Sequence, residues 1–122
     1  MAMNQRTGRT GEAHAASYLQ SMGYEVIGRN LRISGCEIDI LAMCEQCLVV
    51  VEVKTRLSSA FGTPLEQIDR RKLRRLEIAA RALSTQWGGR PVQIDVVGIQ
   101  ARGVDGETLV QPTLVHLTNV TG

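Results

Sequence analysis

The sequence predicts an α/β fold in which helices flank one mixed central sheet, with the element order αβββαββ. Two segments repeat apolar residues at helical spacing, and most other segments alternate apolar and polar residues as strands do. The chain has 122 residues, of which 43% are hydrophobic and 21% are charged, values typical of a folded domain rather than a disordered chain. Because this length supports one hydrophobic core, we expect residues 1–122 to form a single domain.

The first helix is predicted from about Arg9 to Met22, and Gly23 follows as its stop. Its inward positions are occupied by small or apolar residues at helical spacing: Ala15, Ala16, Tyr18, Leu19 and Met22. The stretch from Tyr24 to Leu31 mixes β-forming and polar residues, which favours an edge strand, and residues 32–35 are predicted to form a turn.

The two central strands are predicted over Cys36–Ala42 and Leu48–Thr55, with a hairpin at residues 43–47. The hydrophobic pattern fixes their register, because a slip of one residue would turn the apolar set away from the core. The register that makes one face wholly apolar sets three residues of the first strand against three of the second: Ile38, Ile40 and Ala42 against Val53, Val51 and Val49.

The same register places Asp39 opposite Glu52 and Glu37 opposite Lys54. Directly opposed Cβ atoms lie about 4.5–5.5 Å apart, so Asp39 and Glu52 become like charges that face each other. A divalent cation resolves this conflict, since two carboxylates with carbonyl and water oxygens form the kind of site that Mg²⁺ or Mn²⁺ prefers. Lys54 projects from the same face, where it can contact whatever the metal activates.

Two alternatives stay open for these acidic residues. The strand residues can instead form surface ion pairs on a solvated face. Glu12 occupies the inward stripe of the first helix, where a carboxylate is unexpected unless something satisfies it. It can reach a metal held by Asp39 and Glu52, or it can cap the helix N-terminus, where the helix dipole favours an acid.

The second helix has the clearest sequence signals. Pro64 fixes its entry and Asp69 is a suitable N-cap, while Ile68 and Leu73 stand at the positions of a hydrophobic staple. Its buried stripe follows the helical spacing and consists of Leu73, Leu76, Ala80 and Leu83. The Gly-Gly pair at residues 88–89 ends the helix.

Two further strands are predicted over Val92–Ile99 and Leu109–Leu117, the second after a turn at residues 105–106. The elements show neither an internal repeat nor a linker. Their order therefore predicts one sheet that combines parallel and antiparallel neighbours.

The net charge of +2 conceals a basic central third. Residues 54–90 hold nine of the fourteen Lys and Arg residues, including both lysines, but only three of the twelve Asp and Glu residues. Such a patch is expected where a protein binds a phosphate backbone, although an arginine-rich helix face is often merely solvated. The residues expected to contact nucleic acid are Arg56, Arg70, Arg71, Lys72, Arg74 and Arg75.

Other features argue against several classes of protein. No apolar run approaches the ~20 residues that span a bilayer, and residues 1–16 are polar, so we expect a cytoplasmic protein. Three cysteines do not indicate a disulfide framework in a chain of this size. Cys44 and Cys47 form a C-x-x-C motif at a hairpin tip rather than at a helix start, which disfavours a redox centre. Zinc would need two further ligands from Cys36, His14 and His116.

Several motifs together resemble the YraN-type bacterial protein family. They are Gly11-Glu12, Tyr18-Leu19, Gly23-Tyr24, Arg29-Asn30, Glu37-Ile-Asp39-Ile-Leu41-Ala42, Val51-Glu52-Val53-Lys54-Thr55-Arg56, Phe61-Gly62-Thr-Pro64 and Arg71-Lys72-Leu73. The similarity covers most of residues 8–97. That family is itself similar to archaeal Holliday-junction resolvases and to the restriction-endonuclease-like fold with its PD-(D/E)xK motif.

The resemblance implies a restriction-endonuclease-like sheet and a metal-dependent nuclease site. Its catalytic positions are Glu12, Asp39, Glu52 and Lys54, with Mg²⁺ or Mn²⁺ as cofactor. The chain departs from the pattern at Ile38, where the superfamily has Pro, and at Cys36, where relatives usually have Gly. Two functions follow: hydrolysis of phosphodiester bonds in DNA, with branched structures among the substrates, or catalytically idle binding of nucleic acid. A homodimer is plausible because the resolvase relatives present two sites to a junction.

Overall fold

The computed structural model describes residues 5–57 and 69–121. These residues form two helices, α1 (Gln5–Ser21) and α2 (Arg70–Gln86). The strands are β1 (Glu25–Ile33), β2 (Cys36–Cys44), β3 (Cys47–Arg56), β4 (Val92–Gln100), β5 (Gly103–Asp105), β6 (Thr108–Val110) and β7 (Thr113–Leu117). The main sheet has the strand order β1-β2-β3-β4-β7, and β5 pairs with β6 alone. The predicted α/β fold with a mixed central sheet is confirmed, and β1 lies at its edge as predicted.

Strand directions explain the position of α2. The first three strands are antiparallel neighbours, β3 and β4 run parallel, and β7 is antiparallel to β4. A parallel pair needs a long crossover connection, and α2 lies in the connection between β3 and β4. The helix thereby covers one face of the central strands, and α1 covers the other face.

Each helix closes its own hydrophobic cluster. The cluster under α1 includes Ala15, Leu19, Ile40, Ala42, Val49, Val51, Val97 and Ile99. The cluster under α2 includes Leu41, Leu48, Val50, Leu76, Ala79, Leu83 and Ile94. Both faces of the central strands are therefore buried, which explains why residues 48–51 form a continuous apolar run instead of alternating.

The predicted register of the central hairpin is confirmed where the ladder exists. Ile40 pairs with Val51 and Ala42 pairs with Val49. The ladder ends at Ile40–Val51, although β2 continues beside β1 and β3 continues beside β4. The sheet therefore divides beyond this pair, with β1 and β2 on one side of the division.

The predicted apolar face of β2 differs from the one that the structure shows. Ile38 belongs to the cluster under α2, whereas Ile40 belongs to the cluster under α1. Asn30 lies between the Arg29–Ile40 and Leu31–Ile38 pairs and has φ +53°, so regular alternation is broken on β1 at this point. Grouping Ile38 with Ile40 on one face was therefore wrong.

The first helix approaches the sheet closely at Gly11. A Cβ atom at this position would overlap the Thr55 side chain, so only glycine permits this contact between α1 and β3. Gly23 has φ +91°, which agrees with its predicted role after the helix end. Met22 is 59% exposed, because α1 ends at Ser21, so its predicted inward position is wrong.

The second helix begins as predicted. The Asp69 side chain accepts a hydrogen bond from the Arg71 amide at 2.9 Å. Most of the predicted stripe is buried together with Ala79, and Leu73 is partly buried. Pro64 and Ile68 lie outside the described residues. Neither described helix is long and apolar enough to cross a membrane.

The final predicted strand is divided in two. Gln111 has φ +47° and interrupts the segment between β6 and β7. The first part pairs with β5 in a separate hairpin, and the second joins the main sheet beside β4. A single strand over Leu109–Leu117 was therefore wrong, because an alternating pattern does not reveal a left-handed residue at its centre.

Candidate functional site

Asp39 lies where β2 separates from β3. Its Oδ2 atom accepts a hydrogen bond from the Val53 backbone amide at 2.8 Å. The carboxylate thus binds an amide of β3 just beyond the last residue pair of the ladder. A side-chain hydrogen bond also joins Asp39 to Glu52. The predicted meeting of these two carboxyl groups is present, although it arises from side-chain contacts rather than from a backbone pair.

Glu52 is 3% exposed in the middle of β3. Burial, together with the hydrogen bond and the charge of Asp39, raises the pKa of its carboxyl group to about 8. Positive charges on Lys72 and Lys54 lower the pKa but do not offset these effects. In the absence of a cation, a proton therefore relieves the repulsion between the two carboxyl groups.

Lys54 contacts the same carboxyl group. Its Nζ atom lies 3.7 Å from Oε2 of Glu52, and its side chain is 36% exposed. The predicted pairing of Lys54 with Glu37 is wrong, because the β2–β3 ladder ends before it reaches these residues. Glu37 instead lies 3.4 Å from Arg32 in an exposed ion pair.

Lys72 reaches the site from α2. Its Nζ atom donates a hydrogen bond to the Glu37 carbonyl oxygen at 2.9 Å. Its charge lowers the pKa of Glu52 more than that of Lys54 does. Both lysines of the chain therefore act on one buried carboxyl group, a relationship for which the scarcity of lysine in an arginine-rich sequence was the available signal.

Glu12 approaches from α1. Its side chain is 16% exposed, and its buried Oε1 atom lies 4.0 Å from Arg29 and has no hydrogen-bond partner among the described residues. Burial and the charge of Asp39 raise its pKa, while a hydrogen bond with Asn30 and the charge of Arg29 lower it. The alternative role as an N-terminal cap is wrong, because α1 begins at Gln5, about two turns earlier.

Two residues of this site, Asp39 and Glu52, are suitable ligands for a small cation that prefers oxygen. Asp39 and Glu52 supply adjacent carboxyl groups, and the partly buried Glu12 carboxyl group interacts electrostatically with Asp39. Within residues 5–57 and 69–121, no three His, Cys, Asp or Glu side chains are grouped as metal ligands. Mg²⁺ typically uses one or two protein carboxylates and completes its shell with water and phosphate oxygens, which agrees with this arrangement.

Similarity to other proteins places the chain in a family. Residues 11–99 match the model of the Uncharacterised protein family UPF0102. The chain belongs to the UPF0102 family. This range contains all four predicted catalytic residues and Lys72. The resemblance to a small uncharacterised bacterial family is thereby confirmed.

Three UPF0102 relatives illustrate the extent of the similarity. A UPF0102 protein of Paenarthrobacter aurescens is 41% identical over 119 residues, which cover 93% of this chain and 91% of the relative. A UPF0102 protein of Pseudomonas putida is 37% identical over 85% of this chain and 87% of the relative. A UPF0102 protein of Symbiobacterium thermophilum is 41% identical over 85% of this chain and 89% of the relative.

The basic surface of this UPF0102 protein lies beside the carboxyl groups. Lys72 is half-buried and connects α2 to β2. The arginines predicted to contact nucleic acid on this helix are exposed: Arg70, Arg71, Arg74 and Arg75. Arg56 is the last residue of β3 and is half-buried. The basic helix and the acidic pair thus share an edge of the molecule through Lys72.

The cysteines of the UPF0102 chain are free thiols. Cys44 and Cys47 are partners at the hairpin end, and Cys36 is buried at the opposite end of β2. Burial raises the pKa of the Cys47 thiol, so its reactive thiolate form is disfavoured. In the described ranges these residues form no metal-ligand group with histidine.

A second polar cluster, around Asp95, was not predicted from the sequence. Asp95 is fully buried in β4 and accepts hydrogen bonds from four groups: the side chains of Tyr24, Gln93 and His116 and the Asn119 amide. Tyr18 also bonds His116 through its hydroxyl group at 3.0 Å. The donors come from three separate segments, at residue 24, residue 93 and residues 116–119, so no local motif predicts this cluster. Its saturated carboxylate is typical of a structural network.

Proposed function

We propose that this protein is a metal-dependent nuclease that hydrolyses phosphodiester bonds in DNA, with branched structures among its substrates. The observation that carries the proposal is the meeting of the Asp39 and Glu52 carboxyl groups beside Lys54. A buried carboxyl group with a raised pKa, next to a second carboxyl group and a lysine, is typical of a functional site. The family resemblance noted above supports the same activity.

Asp39 and Glu52 would hold Mg²⁺ or Mn²⁺, with Glu12 close to Asp39. When bound, the cation would supply Lewis-acid polarisation of a phosphate oxygen and a lowered pKa for a water molecule. The Val53 amide orients Asp39 for this role. Lys54 lies beside Glu52 and is partly exposed, so its ammonium group can orient the attacking water and stabilise negative charge on the phosphoryl group.

Nucleic acid would be held by the exposed arginines of α2. Arginine binds phosphate oxygens through paired N–H donors, and such contacts give affinity with little sequence information. Affinity should fall steeply with salt, because each phosphate contact releases condensed counterions. A homodimer would present two such surfaces to a branched substrate.

The test is a cleavage assay on linear, nicked, flap and four-way DNA with Mg²⁺ or Mn²⁺. We expect metal-dependent products from the unaltered chain and at least a ~100-fold loss of rate in Asp39→Ala and Lys54→Ala. Asp105→Asn is the matched control, because Asp105 is an exposed carboxylate on the β5–β6 hairpin. Cleavage that survives both site substitutions would contradict the assignment.

A catalytically idle nucleic-acid-binding protein is the second candidate. The raised pKa of Glu52 favours it, because a protonated carboxyl group relieves the repulsion within the pair without a cation. This candidate predicts DNA binding that is unchanged by EDTA, with no cleavage of any substrate in the panel. Binding that tightens with Mn²⁺ and is lost in Asp39→Ala would exclude it.

A further inference from the structure

A cavity of about 300 Å³ lies between the β1–β2 turn and α2. It is lined by Arg32, Gly35, Cys36, Glu37, Lys72 and Arg75. Three of these side chains are cationic and one is acidic, so the cavity carries a net positive charge. Its volume is sufficient for a phosphate group with part of the attached sugar.

The cations of the cavity are available to a ligand. Among the described residues, Lys72 uses one of its three N–H donors, on the Glu37 carbonyl oxygen. Arg75 is exposed and makes no hydrogen bond or ion pair with another described residue. The Glu37 carboxylate that faces Arg32 is 72% exposed, and exposed pairs of this kind contribute little, so a phosphate can replace it.

Two of the cations are also fixed in position. Arg32 donates to the Gly35 carbonyl oxygen at 3.1 Å, and Lys72 donates to that of Glu37 at 2.9 Å. The Gly35 carbonyl belongs to the tight β1–β2 turn, in which Ser34 and Gly35 have φ values of +50° and +76°, and the Glu37 carbonyl belongs to the adjoining strand β2. The charges are thus held in place before a ligand arrives, which reduces the entropy lost on binding.

The cavity adjoins the carboxyl pair. Lys72 lines the cavity and its charge also acts on Glu52, while Glu37 lies two residues from Asp39 on β2. We propose that this cavity is a subsite for a phosphate group of a nucleic-acid strand. This phosphate would lie next to the phosphodiester group that is hydrolysed at Asp39 and Glu52. The proposal rests on the proposed function for its ligand and adds Arg32, which the sequence did not indicate, to the binding surface.

The first experiment follows amide signals by NMR in ¹⁵N-labelled protein with EDTA, so that cleavage plays no part. Inorganic phosphate and a single-stranded 12-nucleotide DNA are titrated separately. We expect both ligands to shift the Gly35, Cys36 and Glu37 amide signals, and we expect saturation at much lower concentration for DNA. Shifts with phosphate alone would identify a site for a free anion, and no shifts with either ligand would leave no subsite; both outcomes overturn the proposal.

The second experiment measures DNA affinity for Arg32→Ala and Arg75→Ala. Each should weaken binding about fivefold or more and reduce the salt slope of log K by about one. Arg81→Ala is the matched control, because Arg81 is an exposed arginine of α2 outside the cavity, and it should change affinity less than twofold. Arg75→Lys should restore part of the lost affinity. Equal effects of all three alanine substitutions would overturn the proposal.

Failure of the subsite proposal can be distinguished from failure of the nuclease proposal. If DNA shifts the turn amides but no substrate is cleaved, the nuclease proposal fails and the subsite remains. If DNA is cleaved by the Arg32→Ala/Arg75→Ala double variant with unchanged KM, the subsite proposal fails and the nuclease remains. Thermal unfolding of each variant checks that the fold is retained.

Discussion

The Asp39 carboxylate accepts a hydrogen bond from the Val53 amide at 2.8 Å, just beyond the last backbone pair of the β2–β3 ladder. A side chain thus continues the contact between two strands after the ladder has ended. It also holds one carboxyl group against the strand that carries Glu52. The division of the sheet and the position of the acidic pair therefore have a common cause.

Replacing Asp39 separates its structural and electrostatic roles. Asp39→Asn keeps an oxygen that can accept the Val53 hydrogen bond and removes the charge. Asp39→Ala removes both the charge and the accepting oxygen, so the Val53 amide loses its partner. The free energy of unfolding should therefore be about 1 kcal/mol lower in Asp39→Ala than in Asp39→Asn. Urea denaturation of the two variants measures this difference. Equal stability would show that the hydrogen bond does not hold the divided strands together.

Glu52 should make stability fall as pH rises. Its pKa is about 8 in the folded protein and near 4.5 when the group is unperturbed, so the folded state binds more protons between these values. The free energy of unfolding should decrease by up to ~1 kcal/mol per pH unit in this interval. Urea denaturation in EDTA from pH 5 to 9 measures the slope.

The controls for this slope are two neutral substitutions. Glu52→Gln should flatten the slope and raise stability near pH 8. Glu107→Gln, at an exposed turn residue of the β5–β6 hairpin, should leave the slope unchanged. A Glu52→Gln variant with the same pH dependence as the unaltered chain would refute a raised pKa at this position.

A divalent cation should stabilise the protein through the same pair. At pH 8, a saturating concentration of Mn²⁺ should raise Tm by roughly 5 °C. The increase should be smaller at pH 6, because the cation must then displace the proton from Glu52. Differential scanning calorimetry measures it, with Asp105→Asn as control. An equal increase in Asp39→Asn would place the cation elsewhere.

Lys72 should have a larger effect than Lys54 on the titration of Glu52. The positive charge of Lys72 lowers the pKa of the Glu52 carboxyl group more than that of Lys54 does, although Lys54 Nζ lies only 3.7 Å from Glu52 Oε2. Lys72→Met should therefore raise the pKa of Glu52 more than Lys54→Met does. Carbon-detected NMR titration of the glutamate side chains gives both values. The opposite order would indicate that the short Lys54 contact dominates.

The Asp95 cluster should affect stability without affecting cleavage. Asp95→Ala leaves the Tyr24, His116 and Gln93 donors without their shared acceptor. Stability should fall by about 3 kcal/mol, as measured by urea denaturation. Cleavage per folded molecule should remain within about twofold of the unaltered chain at a temperature where the variant is folded. A selective loss of cleavage would assign this cluster a role in the reaction.

The register of the central hairpin could be predicted because it depends on a local pattern. The short hairpin at residues 43–47 restricts the register, and it sets Ile40 against Val51 and Ala42 against Val49. The N-cap at Asp69 is local in the same sense, since it depends on the Arg71 amide two residues later. Short-range chemistry of this kind can be read from the order of residues.

The division of the sheet could not be predicted in this way. It depends on the Asp39 side chain, which binds an amide that the regular hairpin pattern assigns to the backbone. The position of Lys72 depends on how α2 packs over β2, across 35 residues of sequence. Each of these relationships is set by tertiary packing, so alternation and spacing contain no signal for it.

We propose that Asp39 and Glu52 bind a divalent cation together. Anomalous diffraction from crystals soaked in Mn²⁺ at pH 8 tests it most directly. We predict a manganese peak between the two carboxyl groups, which disappears in Asp39→Asn crystals treated in the same way. The contrary result is a pair of carboxyl groups that remain hydrogen-bonded to each other, with no peak between them at saturating Mn²⁺.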